Sequence, residues 1–162
     1  MSDRIAVMNA GRIEQLGDAR ELYEHPRNSF VARFLGTCNL FPGTTLAVRH
    51  DSLVVATELG ELTAALDKGA QSISPGARCT LAVRPEKIIL REPDGPLRAG
   101  EREARIVGVV YNGSDTELSL DAGGVLMQAC CMNANARTLS RQPGQRVIVT
   151  PPAPESLILL ED

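Results

Sequence analysis

Tryptophan is absent from the 162 residues, and aromatic side chains make up only 3% of the chain, as two Tyr and three Phe. That scarcity argues against a stacking platform for bases or sugars, so no nucleic-acid partner is expected, and it leaves Val, Ile, Leu and Ala to build the core. A one-sided charge is also missing. Twenty acidic against seventeen basic side chains leave a net charge of -3, too little for a global field that gathers polyanions or an anionic membrane surface. No apolar run approaches the roughly 18 residues that span a bilayer, and the first residues lack the basic-then-apolar order of a signal peptide. A soluble, cytoplasmic chain is therefore expected.

Catalytic and metal chemistry find few materials. The only histidines are His25 and His50, one at an expected helix end and one in a turn, with no ligand-spaced companion and no nucleophile set beside them. Cys38, Cys79, Cys130 and Cys131 show no C-x-x-C spacing, and adjacent cysteines on a strand point to opposite faces, so reduced structural thiols are expected. Neither G-x-x-x-x-G-K-[ST] nor G-x-G-x-x-G occurs, which removes both common phosphate-cradling loops.

What is present is mostly strand. Arg4–Met8 and Arg12–Leu16, parted by Asn9-Ala10-Gly11, read as a β-hairpin. Asp18 stands three residues before Glu21, the spacing of a reciprocal capping box, and the helix it starts should stop at Pro26. Asn28 caps a second helix whose Phe30, Val31, Phe34 and Leu35 recur at one-face spacing, with Gly36 closing it. From Leu40 onward the texture is β. Thr44–Arg49, Ser52–Thr57, Leu62–Leu66 and Arg78–Arg84 are short runs with turn residues between them, which predicts a small antiparallel barrel rather than βαβ units.

Residues 91–102, rich in Pro, Gly and charge, read as a loop between two halves or a short linker. A second strong strand covers Glu103–Tyr111, with Ala104, Ile106, Gly108 and Val110 alternating with Arg105, Val107 and Val109. Asn112-Gly113 is a hairpin turn, Thr116–Leu120 and Val125–Cys131 form its continuation, Asn133–Leu139 reads as a short helix, and Arg146–Thr150 and Leu157–Leu160 close the sheet. Both halves are strand-rich, but no repeat is exact enough to count.

Two places stand out as candidate regulatory or ligand contacts. Arg84-Pro85-Glu86 puts an Arg at a strand end, a fixed φ, and a carboxylate in the next turn. It is either a bend held by a short ion pair or a pair of charges at a barrel mouth. Tyr111 and Asn112 pose the same choice, because a Tyr hydroxyl anchors barrel corners as readily as it lines a pocket. No catalytic or metal-binding residue is expected.

Several stretches resemble one family. Ser2-Asp-Arg-Ile-Ala-Val-Met-Asn-Ala-Gly-Arg-Ile-Glu-Gln-Leu-Gly17, Glu21–Pro26, Phe30–Gly36 and Asn39-Leu40 are similar to the end of the nucleotide-binding domain of ABC importer ATPase subunits. Val83–Glu86, Ile106–Gly113 and Gly144–Val149 resemble the regulatory region that follows it, the transport-associated OB (TOBE) fold. Phe34–Phe41 and Arg84–Ile88 look more like the spermidine/putrescine branch than the sugar branch, with iron(III), sulfate and other small-solute importers left open. One departure is plain: many relatives place a Trp before a Pro-Glu near the end, and Pro151-Pro152-Ala153-Pro154-Glu155 has none.

The resemblance implies a division into residues 1–38, a remnant of the nucleotide-binding domain, and 39–162, an OB-like β-barrel. It implies a C-terminal piece that regulates and supports the dimer of an importer ATPase without hydrolysing ATP itself, since the Walker motifs and the switch histidine of the family are not in this sequence. No cofactor is expected on these residues, while ATP and Mg would belong to the parent subunit. Partners implied are a second copy of the subunit, the upstream ATPase domain and the membrane subunits, at the inner face of the cell membrane. The rival expectation is a stand-alone OB-type module for oligonucleotide or a small anion.

Overall fold

The computed structural model describes residues 3–66, 73–133 and 140–160. The expected helix at 133–139 lies, but for Asn133, outside them. The chain opens on the hairpin β1 (Ile5–Asn9) and β2 (Arg12–Gly17), turned by Ala10 and Gly11 with both φ angles positive, at 47° and 80°. Helix α1 (Ala19–Glu24) starts where the Asp18 carboxylate accepts the Glu21 N–H at 2.8 Å, and α2 (Ser29–Phe34) starts where Asn28 accepts the Val31 N–H at 3.0 Å. Each cap satisfies an amide that the first turn leaves without an intrahelical acceptor.

Val7, Leu22 and Val31 form a small core with Leu35 beside it. The expected single apolar face of α2 is divided. Phe30 and Phe34 occupy the neighbouring strip, stacked on each other with centroids 6.0 Å apart, and Phe34 is 64% exposed. Residues four apart share a strip on a helix, so Val31–Leu35 and Phe30–Phe34 are two strips, and six residues can bury only one.

Ten further strands make two five-stranded antiparallel sheets. In the first lie β3 (Asn39–Val48), β4 (Ser52–Thr57), β5 (Gly60–Ala65) and β6 (Arg78–Val83). In the second lie β7 (Ile89–Arg91), β8 (Arg102–Tyr111), β9 (Asp115–Ala122), β10 (Val125–Met132) and β11 (Arg146–Thr150), while β12 (Ile158–Leu160) returns to the first. The spatial orders are β12-β6-β3-β4-β5 and β10-β9-β8-β11-β7. Each half therefore builds four strands of one sheet and sends its last strand to the edge of the other.

This is a structural repeat, although no sequence repeat is visible. β3 and β8 carry a bulge at corresponding places, between Thr45 and Ala47 and between Ile106 and Gly108. Pro75-Gly76 and Pro143-Gly144 turn the chain at corresponding places too. Gly76 and Gly144, with φ of 87° and 90°, each donate an N–H to the bulge carbonyl at 2.7 Å, Gly76 to Thr45 and Gly144 to Ile106. What repeats is turn and bulge chemistry, not side-chain identity.

Leu53, Val55, Leu81, Ile106, Leu118 and Leu120 are fully buried in the core that both halves share. The bulge at Val107 corrects the expected alternation along β8. An extra residue reverses the parity of everything after it, so Val109 packs on the core and Val110 is 56% exposed. β3 also starts earlier than its expected Thr44. Leu40–Pro42 pair with β6 beyond the end of β4, where the N–H that Pro42 lacks has no strand to meet. At Gly43 a Cβ would come within 2.5 Å of the Ala56 carbonyl, so only glycine fits that crossing.

The 91–102 segment is a loop joining β7 to β8 within one sheet system, and one ion pair organises it. Arg91 grips the carboxylate of Glu101 through Nε at 2.8 Å and through Nη2, while Glu101 also accepts the Arg98 N–H at 2.8 Å. These donors, the Arg91 side chain foremost, hold the Glu101 carboxyl down to about 2 from 4.5. A lowered folded-state value means that the stabilisation is complete above about pH 4.5 and fades as pH falls towards 2. Glu101→Gln should therefore lower the urea midpoint at neutral pH, and the gap to the parent protein should narrow below about pH 4.5. A gap of the same size at low pH would place the effect elsewhere.

Candidate functional site

Arg84 directly follows β6, and Pro85–Lys87 is a single 3₁₀ turn leading to β7. The fixed φ of Pro85 supplies the bend that carries the chain from one sheet to the other. Arg84 is 2% exposed, and its side chain lies in the joint with the two helices. Its Nη1 donates to the Ala32 carbonyl at 2.8 Å and, at 3.4 Å, to those of Gly36 and Thr37; its Nη2 donates to the Tyr23 carbonyl at 3.0 Å. The guanidinium lies 4.0 Å over the centroid of the Tyr23 ring.

These acceptors sit at the C-terminal ends of α1 and α2, where helices leave carbonyls without intrahelical donors. One cation closes both ends, in the polarity that helix dipoles favour. The Nε of Arg84 is buried without a partner among the described residues. Glu86 turns to the same aromatic: its carboxylate accepts the Tyr23 hydroxyl proton at 2.9 Å. Burial first, and this carboxylate second, raise the Tyr23 hydroxyl above its usual range. Arg84 and Glu86 are thus joined through Tyr23 rather than by the short ion pair that the bend was expected to use.

Tyr111 and Asn112 lie at the β8–β9 turn. Tyr111 is 65% exposed. Asn112 donates its amide to Asp115 at 3.0 Å and to Glu117 at 3.1 Å, and it is the main cause, before Ser114, of the lowered Asp115 carboxyl. Glu117 does reach the elbow. A cavity of about 180 Å³ is lined by Tyr23, Thr37, Glu86, Glu117, Gln128 and Cys130, among others. Asn112 touches it only through Glu117, and Tyr111 does not line it. The Cys130 thiol is raised, by burial first and by the Asp115 and Glu117 charges next, so it stays protonated.

Residue types gave no warning of Tyr23, Asn39 or Gln128. Asn39, buried where β3 begins, accepts the Gln128 N–H at 2.7 Å and donates to the Gln128 carbonyl at 2.8 Å. An Asn after the second helix was visible in the sequence, but a side-chain amide bonding backbone leaves no partner residue type to find. Among the described residues no group of three His, Cys, Asp or Glu is placed to hold a metal ion.

Two curled antiparallel sheets that exchange their last strands, one through Pro85–Lys87 and the other through a second 3₁₀ turn at Pro154–Ser156, define an OB-like domain. Residues 81–160 match the TOBE domain family. That match spans just under half of the chain, and the sequence relates the chain to the C-terminal part of ABC importer ATP-binding subunits. It is 38% identical over 151 residues to the spermidine/putrescine import ATP-binding protein PotA of Roseobacter denitrificans, covering 92% of this chain and 40% of that protein. It is 39% identical over 153 residues to the protein of the same name from Methylococcus capsulatus, covering 93% and 38%. A third, from Rubrobacter xylanophilus, is 39% identical over 161 residues, covering 98% and 41%. The chain thus spans about two fifths of the length of these relatives.

Among solved structures, the molybdate-bound form of the cytoplasmic molybdate-binding protein ModG superposes with a TM-score of 0.61 at 17% identity, over 75% of this chain and 94% of that one. That likeness is one of fold.

Proposed function

We propose that this chain is the regulatory and dimer-supporting C-terminal module of an ABC importer ATP-binding subunit that energises uptake of a small solute, a polyamine of the spermidine/putrescine type. The observation that carries the reading is the Arg84 clasp. A regulatory domain must be mechanically joined to what it regulates, and here one buried guanidinium fastens both helices of the N-terminal segment to the barrel elbow. In this reading residues 1–38 are the end of the nucleotide-binding domain and residues 39–162 the regulatory barrel.

The outer side of that segment supports the same assignment. Ile13, 60% exposed, faces Met8 across the hairpin, and Leu16 and the Phe30–Phe34 stack are exposed as well, apolar surface that fits a further domain. ATP and Mg²⁺ would be held by the ATPase domain of the parent subunit, because these residues offer no phosphate-cradling loop and no described metal cluster. The parent would work at the inner face of the cell membrane with a second copy and with the membrane subunits; no described helix of this chain is long and apolar enough to cross a membrane. The module acts by contact: an effector that favours one arrangement of two barrels shifts the population of closed and open ATPase dimers.

The test uses the full-length subunit carrying this chain. Removing residues 39–162 should weaken subunit dimerisation and alter the dependence of ATP turnover on assembly with the membrane subunits. Unchanged dimerisation and coupling would overturn the reading, and tight binding of single-stranded oligonucleotide or molybdate by the module would replace it with that of a ligand-binding barrel.

A further inference from the structure

We propose that Arg84 and Asn39 are the two ends of one mechanical link through which α1 and α2 set the position of β10. At one end Arg84 holds the Tyr23 and Ala32 carbonyls of the two helices together with the Gly36 and Thr37 carbonyls of the segment leaving α2. At the other end Asn39 holds both backbone groups of Gln128 in the middle of β10. Only Cys38 separates Thr37 from Asn39. A single residue spans about 3.5 Å when extended, so the segment has no slack to absorb a displacement of either end. Cys38 is itself tethered, its thiol 3.6 Å from the Val83 carbonyl just before Arg84.

The far end of the link is chosen by the topology. β10 is the outer strand of the second sheet and, among the described residues, pairs with β9 alone, so one row of its backbone groups faces away from the ladder. At Gln128 the Asn39 carboxamide fills the place of a missing neighbouring strand, with one donor and one acceptor in the spacing a β-ladder uses. A parallel route runs from the Tyr23 hydroxyl to Glu86, whose elbow shares its cavity with Gln128, Ala129 and Cys130. Movement of the helices thus reaches β10 along two short paths, both of which begin at Tyr23 and Arg84. Glu117, opposite Cys130 on β9, shifts with it, and through Glu117 so does the Asn112 turn.

A contiguous chain of contacts becomes a coupling only if perturbing one end changes the other. Amide hydrogen exchange on the whole chain measures this, with the Leu120 amide of the inner strand β9 as internal reference. Arg84→Met should raise the exchange of both the α2 amides and Gln128 relative to Leu120, about tenfold at Gln128. Asn39→Ala should raise it at Gln128 alone and leave α2 protected, because the clasp is untouched. If Arg84→Met does not fold, Tyr23→Leu, which removes the stacking face and the hydroxyl but keeps every carbonyl, makes the same comparison. An unchanged ratio of Gln128 to Leu120 in the Arg84 or Tyr23 variant, or a loosening of α2 by Asn39→Ala as large as that at Gln128, overturns the link.

Discussion

Replacing Arg84 by Ala should cost the fold about 3–5 kcal/mol, a large share of the stability of a domain this size. Hydrogen bonds from a charged donor contribute roughly 1.5–3 kcal/mol each, and the two shortest of the four, to Ala32 and Tyr23, are well inside bonding range. Truncation also leaves buried helix-end carbonyls without donors and a gap against the Tyr23 ring. Arg84→Met should be milder than Ala, since it fills the volume and removes the buried charge together. Chemical denaturation of the three proteins gives the ranking directly. A stable Ala variant would return Arg84 to the role of an exposed or ligand-seeking charge, which its burial argues against.

Leu53→Ala and Leu118→Ala should each cost about 2–5 kcal/mol, and the two losses should resemble each other. These leucines hold corresponding places in the two halves, on β4 and β9, each paired with the second residue after its partner strand's bulge, Val48 and Val109, and neither is exposed. Because β7 and β12 are exchanged and one core serves both sheets, each substitution should shift a single unfolding transition. Two separate transitions, only one of which moves, would mean that the halves are independent units.

The local parts of this architecture were legible because their chemistry is local. Asp18 and Asn28 each cap an amide three residues further on, so their spacing in the sequence is their geometry in the fold. The partition into two exchanging sheets was not legible in the same way. β7 and β12 are three residues each, too short for alternation to show, and their partners lie across the chain. Val107 looked like one more β-branched residue until its bulge inverted the faces after it.

The elbow was visible as Arg-Pro-Glu, but not its meaning. The Tyr23 carbonyl that Arg84 caps lies 61 residues upstream, and a carbonyl is present at every residue, so nothing in the sequence marks it as a target. Tyr111, more conspicuous because it stands beside a strong turn, has the exposed place, and Tyr23 has the half-buried one against Arg84.

The strand exchange also sets an order of events during synthesis. β6 can pair with β3 as soon as residue 83 is made, yet its other edge waits for residues 158–160. Over that interval the first sheet presents Leu81 and its neighbours without the cover of the second half. A nascent chain at this stage should be a client for holding chaperones, and a stop codon falling between β7 and β8 should yield a product with an open edge and half a core, prone to degradation rather than to partial activity.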